Sequence, residues 1–271
     1  MLHHERRGQG PLVVLLHSGG MSGRQWRRLA DLLSSSYQAV TPDLLGSGDN
    51  PPWPDEAPFD ISLDVAAVGE LLDSLRAPAH LVGHSYGGFI ALALARERPA
   101  TVRSITVYDP VAFGVLHESH DRDGLRDLER VSANPVFCDD ARGGGETWFE
   151  AFVDYWNGPG SWRTLPAAAQ AAFLAAGRKV YFEARSLLAD RTALAAHARI
   201  SAPTLLLAGE RSPVAARRII ARLAAAIPRA RTRVVAGAGH MGPITHAAEV
   251  NALIAEHLAA AADALNEPND E

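Results

Sequence analysis

The sequence predicts an α/β fold, in which a mostly parallel sheet is flanked by helices and interrupted by one long helical insertion. Short apolar runs alternate with longer segments of helical periodicity, which is typical of βαβ units. Most of these runs lack polar alternation, as expected for strands buried on both faces of a parallel sheet. One interval, residues 111–200, contains helix-like segments and no buried-strand run.

The elements of the sheet follow one another in βα order. Runs of four to seven β-branched or leucine-rich residues predict strands at 12–16, 38–41, 79–82, 102–108, 204–208 and 232–235. The residues before Gly10 supply one further edge strand. Helical periodicity predicts helices at 23–33, 61–75, 86–98, 214–226 and 245–262. The polar tail, 266–271, is expected to fray.

The insertion is predicted to be a helical cap, residues 111–200, on a core formed by residues 1–110 and 201–271. A stretch of this length is too long for a structureless loop in a compact domain. We expect its aromatic side chains mostly to form the cap's own core, and a few to line a ligand pocket at the carboxyl edge of the sheet. These aromatics are Trp148, Phe149, Phe152, Tyr155, Trp156, Trp162, Phe173, Tyr181 and Phe182.

Composition excludes several classes of protein. The chain has 271 residues, a net charge of -5 and a pI near 6.1, which argue against a nucleic-acid partner and a basic membrane-binding face. The first apolar run, 12–16, is too short for membrane insertion. Cys138 is the only cysteine, so we expect no intramolecular disulfide and a cytoplasmic location. Lys179 is the only lysine, a bias that we attribute to a GC-rich genome and not to function.

The strongest chemical signal is Gly83-His84-Ser85-Tyr86-Gly87-Gly88, between a predicted strand and a predicted helix. A serine on such a sharp turn has a strained backbone, which glycine neighbours accommodate because they carry no Cβ. The turn also places Ser85 at a helix N-terminus, where negative charge is stabilised. We therefore predict that Ser85 is a nucleophile.

A serine nucleophile needs a base, and His240 is the predicted one. It lies in Gly237-Ala238-Gly239-His240-Met241-Gly242-Pro243, a glycine-flanked loop after the last strand. His84 adjoins Ser85 in the strained turn and should point away from its Oγ, while His17 is expected to brace its own loop. The other histidines are interpreted as surface or core residues.

Acyl transfer also needs donors for an oxyanion. The loop His17-Ser18-Gly19-Gly20 follows the first buried strand, and we predict that the backbone N–H of Gly19, with Ser18 as the alternative, is one donor. The N–H of Tyr86, the residue after the nucleophile, is the predicted second donor.

Together these motifs resemble the α/β-hydrolase superfamily over nearly the whole chain. The loop with His17 and Gly19, the GHSYGG turn and the GAGH loop stand in that superfamily's order, as does Pro42-Asp43-Leu44-Leu45-Gly46-Ser47-Gly48. The resemblance implies a sheet of eight strands or slightly fewer, no metal or organic cofactor, and a Ser–acid–His triad. Asp43 is usually a turn-forming residue in such proteins and is left out of the chemistry.

The acid of the triad is where the sequence departs from the superfamily. An aspartate usually follows the strand at 204–208, but Ser212 occupies that position in Gly209-Glu210-Arg211-Ser212-Pro213. Another branch carries the acid one strand earlier, which corresponds to Asp109 here. We favour Asp109 because Pro110 imposes extended geometry on it whatever its side chain, so the carboxylate has no structural need. Glu210 is the alternative acid.

A metal site is the competing interpretation of an acidic cluster in the cap. His117, Glu118, His120, Asp121 and Asp123 lie close in sequence, but their spacing matches neither a zinc-protease pattern nor a calcium loop. A solvated helix face is the better interpretation, so no metal is predicted.

The predicted function is hydrolysis of a carboxylic ester, or of a related thioester or lactone, with an apolar acyl group. Ser85, His240 and an acid would act through an acyl-enzyme. The alternatives are a C–C bond hydrolase with the same triad and a ligand-binding receptor on the same fold. Dehalogenation is not expected, because it requires an aspartate in place of Ser85.

Overall fold

The computed structural model describes residues 1–266, with side chains for residues 1–263, and contains a seven-stranded sheet. The strands are β1 (His4–Arg7), β2 (Leu12–Leu16), β3 (Gln38–Pro42), β4 (Ala79–His84), β5 (Val102–Tyr108), β6 (Thr204–Gly209) and β7 (Ala230–Val235). Their order is β1-β3-β2-β4-β5-β6-β7, and only β1 runs antiparallel to its neighbour. The predicted mostly parallel α/β fold is confirmed.

Burial explains why the strands could be predicted from apolar runs. Every residue of β2, β4 and β6 is buried, whereas four of the six residues of the edge strand β7 are exposed. All six predicted runs are strands, and β1 is the predicted edge strand. β4 extends two residues beyond its predicted end, to His84, and so reaches the nucleophile turn.

Helices cover both faces of the sheet. They are α1 (Arg27–Leu33), α2 (Ile61–Leu75), α3 (Tyr86–Glu97), α4 (Gly114–Glu118), α5 (Arg122–Ser132), α6 (Glu146–Asn157), α7 (Ser161–Thr164), α8 (Ala167–Ala189), α9 (Leu194–His197), α10 (Val214–Ala226), α11 (Gly242–Thr245) and α12 (Ala247–Asn266). Successive residues of β2 alternate between two apolar clusters, one shared with α2, α3 and α10 and the other with α1 and α12.

Two predicted helices differ from their observed form. The helix predicted at 23–33 begins with a 3-10 turn, Gly23–Trp26, before α1. The helix predicted at 245–262 is α12, which begins at Ala247; a separate short helix, α11, precedes it, and the backbone of His246 (φ -123°, ψ 38°) leaves the helical region between them. This interruption places α11 immediately after the loop that carries His240.

Residues 111–200 form α4 to α9 and contain no strand. Their buried side chains include an apolar cluster of their own around Trp148, Phe149, Trp162 and Tyr181. Helix α8 bends at Gly177, whose φ of 51° and ψ of -131° interrupt the helical backbone. The prediction of a helical segment is confirmed, and its role as a separate cap stays a prediction.

Within residues 1–266, no helix has the length and apolar character needed to cross a bilayer. The cytoplasmic location stays a prediction. Apart from Asn266, the tail predicted to fray lies outside the described residues.

Candidate active site

The nucleophile turn joins β4 to α3, and its central residue, Ser85, has a positive φ. Ser85 has φ 53° and ψ -113°, a strained conformation for a residue with a side chain. A Cβ on Gly83 would lie 2.3 Å from the Gly87 carbonyl oxygen, and one on Gly87 would lie 2.3 Å from the Leu16 carbonyl oxygen. The glycines are therefore required by close backbone approach, which is the physical reason that the motif predicts such a turn.

Ser85, His240 and Asp109 form one chain of hydrogen bonds. The Ser85 hydroxyl oxygen lies 3.0 Å from His240 Nε2, and His240 Nδ1 lies 3.1 Å from Asp109 Oδ2. Their exposures are 7%, 3% and 0%. Since a carboxylate only accepts, the imidazole donates from Nδ1–H and its Nε2 is free to accept the Ser85 proton.

The backbone of Asp109 differs from the expectation. Pro110 was expected to impose extended geometry, but Asp109 has φ 44°, in the left-handed region. The Asp109 N–H donates to the Leu207 carbonyl at 2.9 Å, so the strand pairing continues to this residue and the chain turns directly after it. Aspartate tolerates this conformation better than most residues, and here it accompanies a carboxylate directed at His240.

Ser212 and Glu210 have other contacts. The Ser212 hydroxyl donates to Asp109 Oδ2 at 2.5 Å and accepts from the Gly209 N–H at 3.1 Å. Glu210 instead accepts from the Gly237 N–H at 2.8 Å and, among the described residues, has no hydrogen bond to His240. The structure thus brings Asp109 to His240 and leaves the alternative acid outside the chain.

His240 lies in an apolar and fully buried setting. The Trp156 ring, on α6, stacks on the imidazole with centroids 4.0 Å apart and planes inclined by 22°. Burial lowers the pKa of His240 from 6.5 to about 3. The neutral imidazole, which can act as a base, therefore persists at mildly acidic pH.

A second chain of hydrogen bonds connects the loop after β2 to the loop of His240. The Ser18 N–H donates to Gln25 Oε1 at 2.9 Å, and Gln25 Nε2 donates to His84 Nδ1 at 3.0 Å. His84 Nε2–H then donates to the His240 carbonyl at 2.8 Å. His84 thus positions the His240 backbone, and burial lowers its own pKa well below 6.5.

The two predicted oxyanion donors are unpaired. Within residues 1–266, no acceptor lies on the backbone N–H of Gly19 or of Tyr86, the first residue of α3. The N–H of Ser18, the alternative donor, is already bonded to Gln25. His17 bridges the loop: its Nδ1–H donates to the Ser18 carbonyl at 2.7 Å and its Nε2 accepts from the Leu44 N–H at 3.0 Å.

Three buried ionisable groups lie behind this region. The Lys179 ammonium bonds to Asp64 Oδ2 at 2.8 Å and to Glu183 Oε1. Tyr86 donates its hydroxyl proton to the same Asp64 oxygen at 2.8 Å. All three charged side chains are at most 4% exposed. We call Asp64, Lys179 and Glu183 the buried charge cluster.

Two narrow cavities adjoin the chemistry, and an open groove lies beside them. Ser85, Gly19, Tyr86 and Glu183 line one cavity, whose remaining wall is mainly apolar and includes Phe152, Tyr155 and Trp156. His240 and Gly19 line a second, together with Met21 and Phe173. A groove of about 790 Å³ contains none of Ser85, His240 and Asp109, but it shares Met21 and Phe173 with the second cavity.

The acidic cluster of the insertion was predicted to be a solvated helix face, but one of its residues, Asp121, is buried and paired. Asp121 caps α5 through the Gly124 N–H at 3.0 Å and pairs with Arg218 and Arg222 at 2.7 and 2.8 Å. These cations and the cap hold the Asp121 pKa below its usual range, although burial opposes them. Asp121 is thus bound to cations of the protein itself.

One close trio of possible metal ligands, His3, Asp43 and Asp49, is present within the described part of the chain. Asp43 accepts from the N–H groups of Gly23 at 2.7 Å and Asp49 at 2.9 Å, which is the turn-forming role expected of it.

Sequence reasoning missed Ser212, Asp64 and Glu183 as site residues, and it named Trp156 only as one of the aromatics of the cap. The sequence indicates only that Ser212 occupies the usual position of the acid, whereas in the structure its hydroxyl donates to Asp109. The available signal for the buried charge cluster was the lone Lys179 with Glu183 four residues later, inside the apolar run Val180, Tyr181, Phe182 and Ala184.

Comparison with known proteins relates the chain to known hydrolases. The model of the family described as "Alpha/beta hydrolase family" matches residues 13–253. The chain is 29% identical over 261 residues to the pimeloyl-(acyl-carrier protein) methyl ester esterase of Chromobacterium violaceum, covering 94% of this chain and 96% of the relative. It is 36% identical over 156 residues to Lipase LipV of Mycobacterium tuberculosis, and this alignment spans 56% of either chain.

Among solved structures, a hydrolase from Pseudomonas aeruginosa superimposes with a TM-score of 0.74 at 24% identity. The superposition covers 94% of this chain and 93% of that one, which shows a common fold. The relatives named as an esterase and a lipase support hydrolase activity. The match over residues 13–253 is decisive for the family: the chain belongs to the alpha/beta hydrolase family.

Proposed function

We propose that this protein hydrolyses a carboxylic ester, or a related thioester or lactone, through an acyl-enzyme on Ser85. The observation that carries the proposal is the continuous chain from the Ser85 hydroxyl through His240 to Asp109, with contacts of 3.0 and 3.1 Å. Donor and acceptor roles along this chain suit proton transfer from serine to imidazole.

In the first step the Ser85 oxygen attacks the carbonyl carbon while its proton moves to His240 Nε2. The imidazolium that forms is stabilised by Asp109, whose Oδ2 accepts from Nδ1–H. Contact with the Trp156 ring also favours the cation, since an aromatic face attracts positive charge. The imidazolium then gives its proton to the leaving oxygen or sulfur.

The tetrahedral intermediate carries a negative oxygen that needs preorganised donors. We assign the N–H groups of Gly19 and Tyr86, both unpaired among the described residues, to this task. The dipole of α3 adds positive potential at the same point. A water molecule activated by His240 then attacks the acyl-enzyme and regenerates the Ser85 hydroxyl.

We further propose that residues 111–200 form a cap over this chemistry. Support comes from Trp156 on the imidazole and from Phe152 and Tyr155 in the wall of the Ser85 cavity. These side chains favour an apolar acyl group. Substrate would approach through the groove that meets the His240 cavity at Met21 and Phe173.

Covalent labelling tests the nucleophile. A fluorophosphonate should add one equivalent to the wild type and none to Ser85→Ala, because the mutant lacks the attacking oxygen. Mass spectrometry of the intact protein counts the adducts, and the buried Ser104→Ala variant is the matched control that keeps its label. Labelling that persists in Ser85→Ala, or a wild type that hydrolyses no p-nitrophenyl ester of any chain length, contradicts the proposal.

The pH dependence tests the base. His240 must be neutral to accept a proton, and burial lowers its pKa to about 3, so the neutral form is lost only in acid. We expect kcat/KM for a non-ionising ester to fall as pH drops through a midpoint well below 6.5. Activity regained on return to pH 7 separates titration from unfolding. A reversible midpoint at or above pH 6.5 would contradict the expected low pKa of the base.

A further inference from the structure

Glu183 stands out because it places a carboxylate in the otherwise apolar wall of the Ser85 cavity. It is the one charged residue of that lining among the described residues, and only 4% of its side chain is exposed. Burying a carboxylate is costly unless hydrogen bonds compensate it. The burial of Glu183 therefore indicates a role beyond packing.

The two oxygens of Glu183 have different surroundings. Oε1 bonds to the Lys179 ammonium, which Asp64 holds from its other side. Oε2 accepts no hydrogen bond from any residue in 1–266, and it lies 2.6 Å from the position that a Cβ on Gly19 would occupy. Since Gly19 and Ser85 line the same cavity, Oε2 is an unpaired acceptor beside the site of acyl transfer.

Charge in the cluster supports the same interpretation. Lys179 has one positive charge for the two carboxyl groups of Asp64 and Glu183, and burial raises the pKa of Glu183 to about 7, so Glu183 is an anion above that pH. Both oxygens of Asp64 accept hydrogen bonds, Oδ1 from Leu45 and Oδ2 from Tyr86 and Lys179. Among the described residues, Glu183 Oε2 is the carboxylate oxygen of the buried charge cluster that accepts no hydrogen bond, and a donor on the substrate would satisfy it.

We propose that Glu183 is a specificity-determining residue that accepts a hydrogen bond from the acyl part of the substrate. This inference rests on the proposed ester hydrolysis and narrows its substrate class to acyl groups that are otherwise apolar but carry a hydroxyl or another hydrogen-bond donor. Oε2 lies beside Gly19, whose N–H we assign to the substrate's carbonyl oxygen, so donors on the second and third carbons of the acyl chain are the ones to test. Lys179, fixed by Asp64, is the positioning residue that orients the carboxylate.

The test compares p-nitrophenyl esters of butyrate, 2-hydroxybutyrate and 3-hydroxybutyrate on the wild type and Glu183→Leu. For each protein the readout is the ratio of kcat/KM for a hydroxylated ester to that for butyrate. This ratio cancels the fraction of active protein, so it holds even if the variant folds incompletely. Comparing the ratios of the two proteins also cancels the intrinsic reactivity of each ester. Glu150→Gln, which alters a surface glutamate paired with Arg163, is the control.

We expect the ratio for at least one hydroxylated ester to fall by about tenfold to a hundredfold in Glu183→Leu, the usual value of a hydrogen bond to a charged acceptor. It should stay unchanged in Glu150→Gln. Equal ratios in the wild type and Glu183→Leu, with all rates falling together, would overturn the proposal and leave Glu183 a structural role. Butyrate hydrolysis by the wild type tests the proposed function separately, so the two failures are distinguishable.

Discussion

Replacing His240 with alanine should lower kcat for an activated ester by about 10⁶-fold, the loss typical of removing a serine hydrolase's base. Within the described residues, His240 is the one base hydrogen-bonded to the Ser85 hydroxyl. His17 and His84 cannot replace it, because both nitrogens of each ring are engaged elsewhere. The fold should survive, since His240 lies in a loop and its backbone carbonyl, which binds His84, is kept.

Kinetics and thermal unfolding measured on the same preparations check this expectation. The matched control is His246→Ala, which removes a half-buried imidazole six residues away and should keep full turnover. His84→Ala should lose less activity than His240→Ala, because it loosens the His240 backbone without removing the base. A folded His240→Ala enzyme with near-normal turnover would refute the assignment of the base.

Local sequence was sufficient wherever a structure depends on neighbouring residues. The bounds of β2 follow from a run of buried apolar residues, those of β5 from a mostly buried run rich in β-branched residues, and the nucleophile turn from Gly83 and Gly87. His240 could be predicted because glycines on both sides mark a loop at the carboxyl edge of the sheet. In each case the residues that determine the local structure lie within a few positions of the motif that predicts it.

Contacts between distant segments could not be predicted in this way. Lys179 meets Asp64 across 115 positions, and Trp156 meets His240 through the packing of α6, which no local pattern encodes. The choice between Asp109 and Glu210 had the same difficulty, because both follow strands that end at one edge of the sheet. The expectation that Pro110 imposes extended geometry was wrong: Asp109 has φ 44° at the corner where the chain leaves β5, directly after its N–H pairs with Leu207.

The acid is expected to be Asp109, and Asp109→Asn should lower kcat by about 10⁴-fold, as in enzymes that lose the group fixing the imidazole tautomer. An asparagine can present its amide nitrogen to His240 Nδ1, which leaves the proton on Nε2 and blocks acceptance from Ser85. Glu210→Gln is the matched control: it changes an exposed carboxylate bonded to the Gly237 N–H and should keep near-normal turnover.

Moving the carboxylate gives the sharper form of this test. The Ser212 oxygen lies 2.5 Å from Asp109 Oδ2 and accepts from the Gly209 N–H, so an aspartate at position 212 would have a donor and would lie near the imidazole. Asp109→Asn combined with Ser212→Asp should therefore regain part of the turnover lost by Asp109→Asn alone. Rates of p-nitrophenyl ester hydrolysis, with folding checked by circular dichroism, are compared between Asp109→Asn and the double variant. If Glu210→Gln collapses while Asp109→Asn keeps its turnover, Glu210 is the acid, because the tautomer of His240 then depends on Glu210.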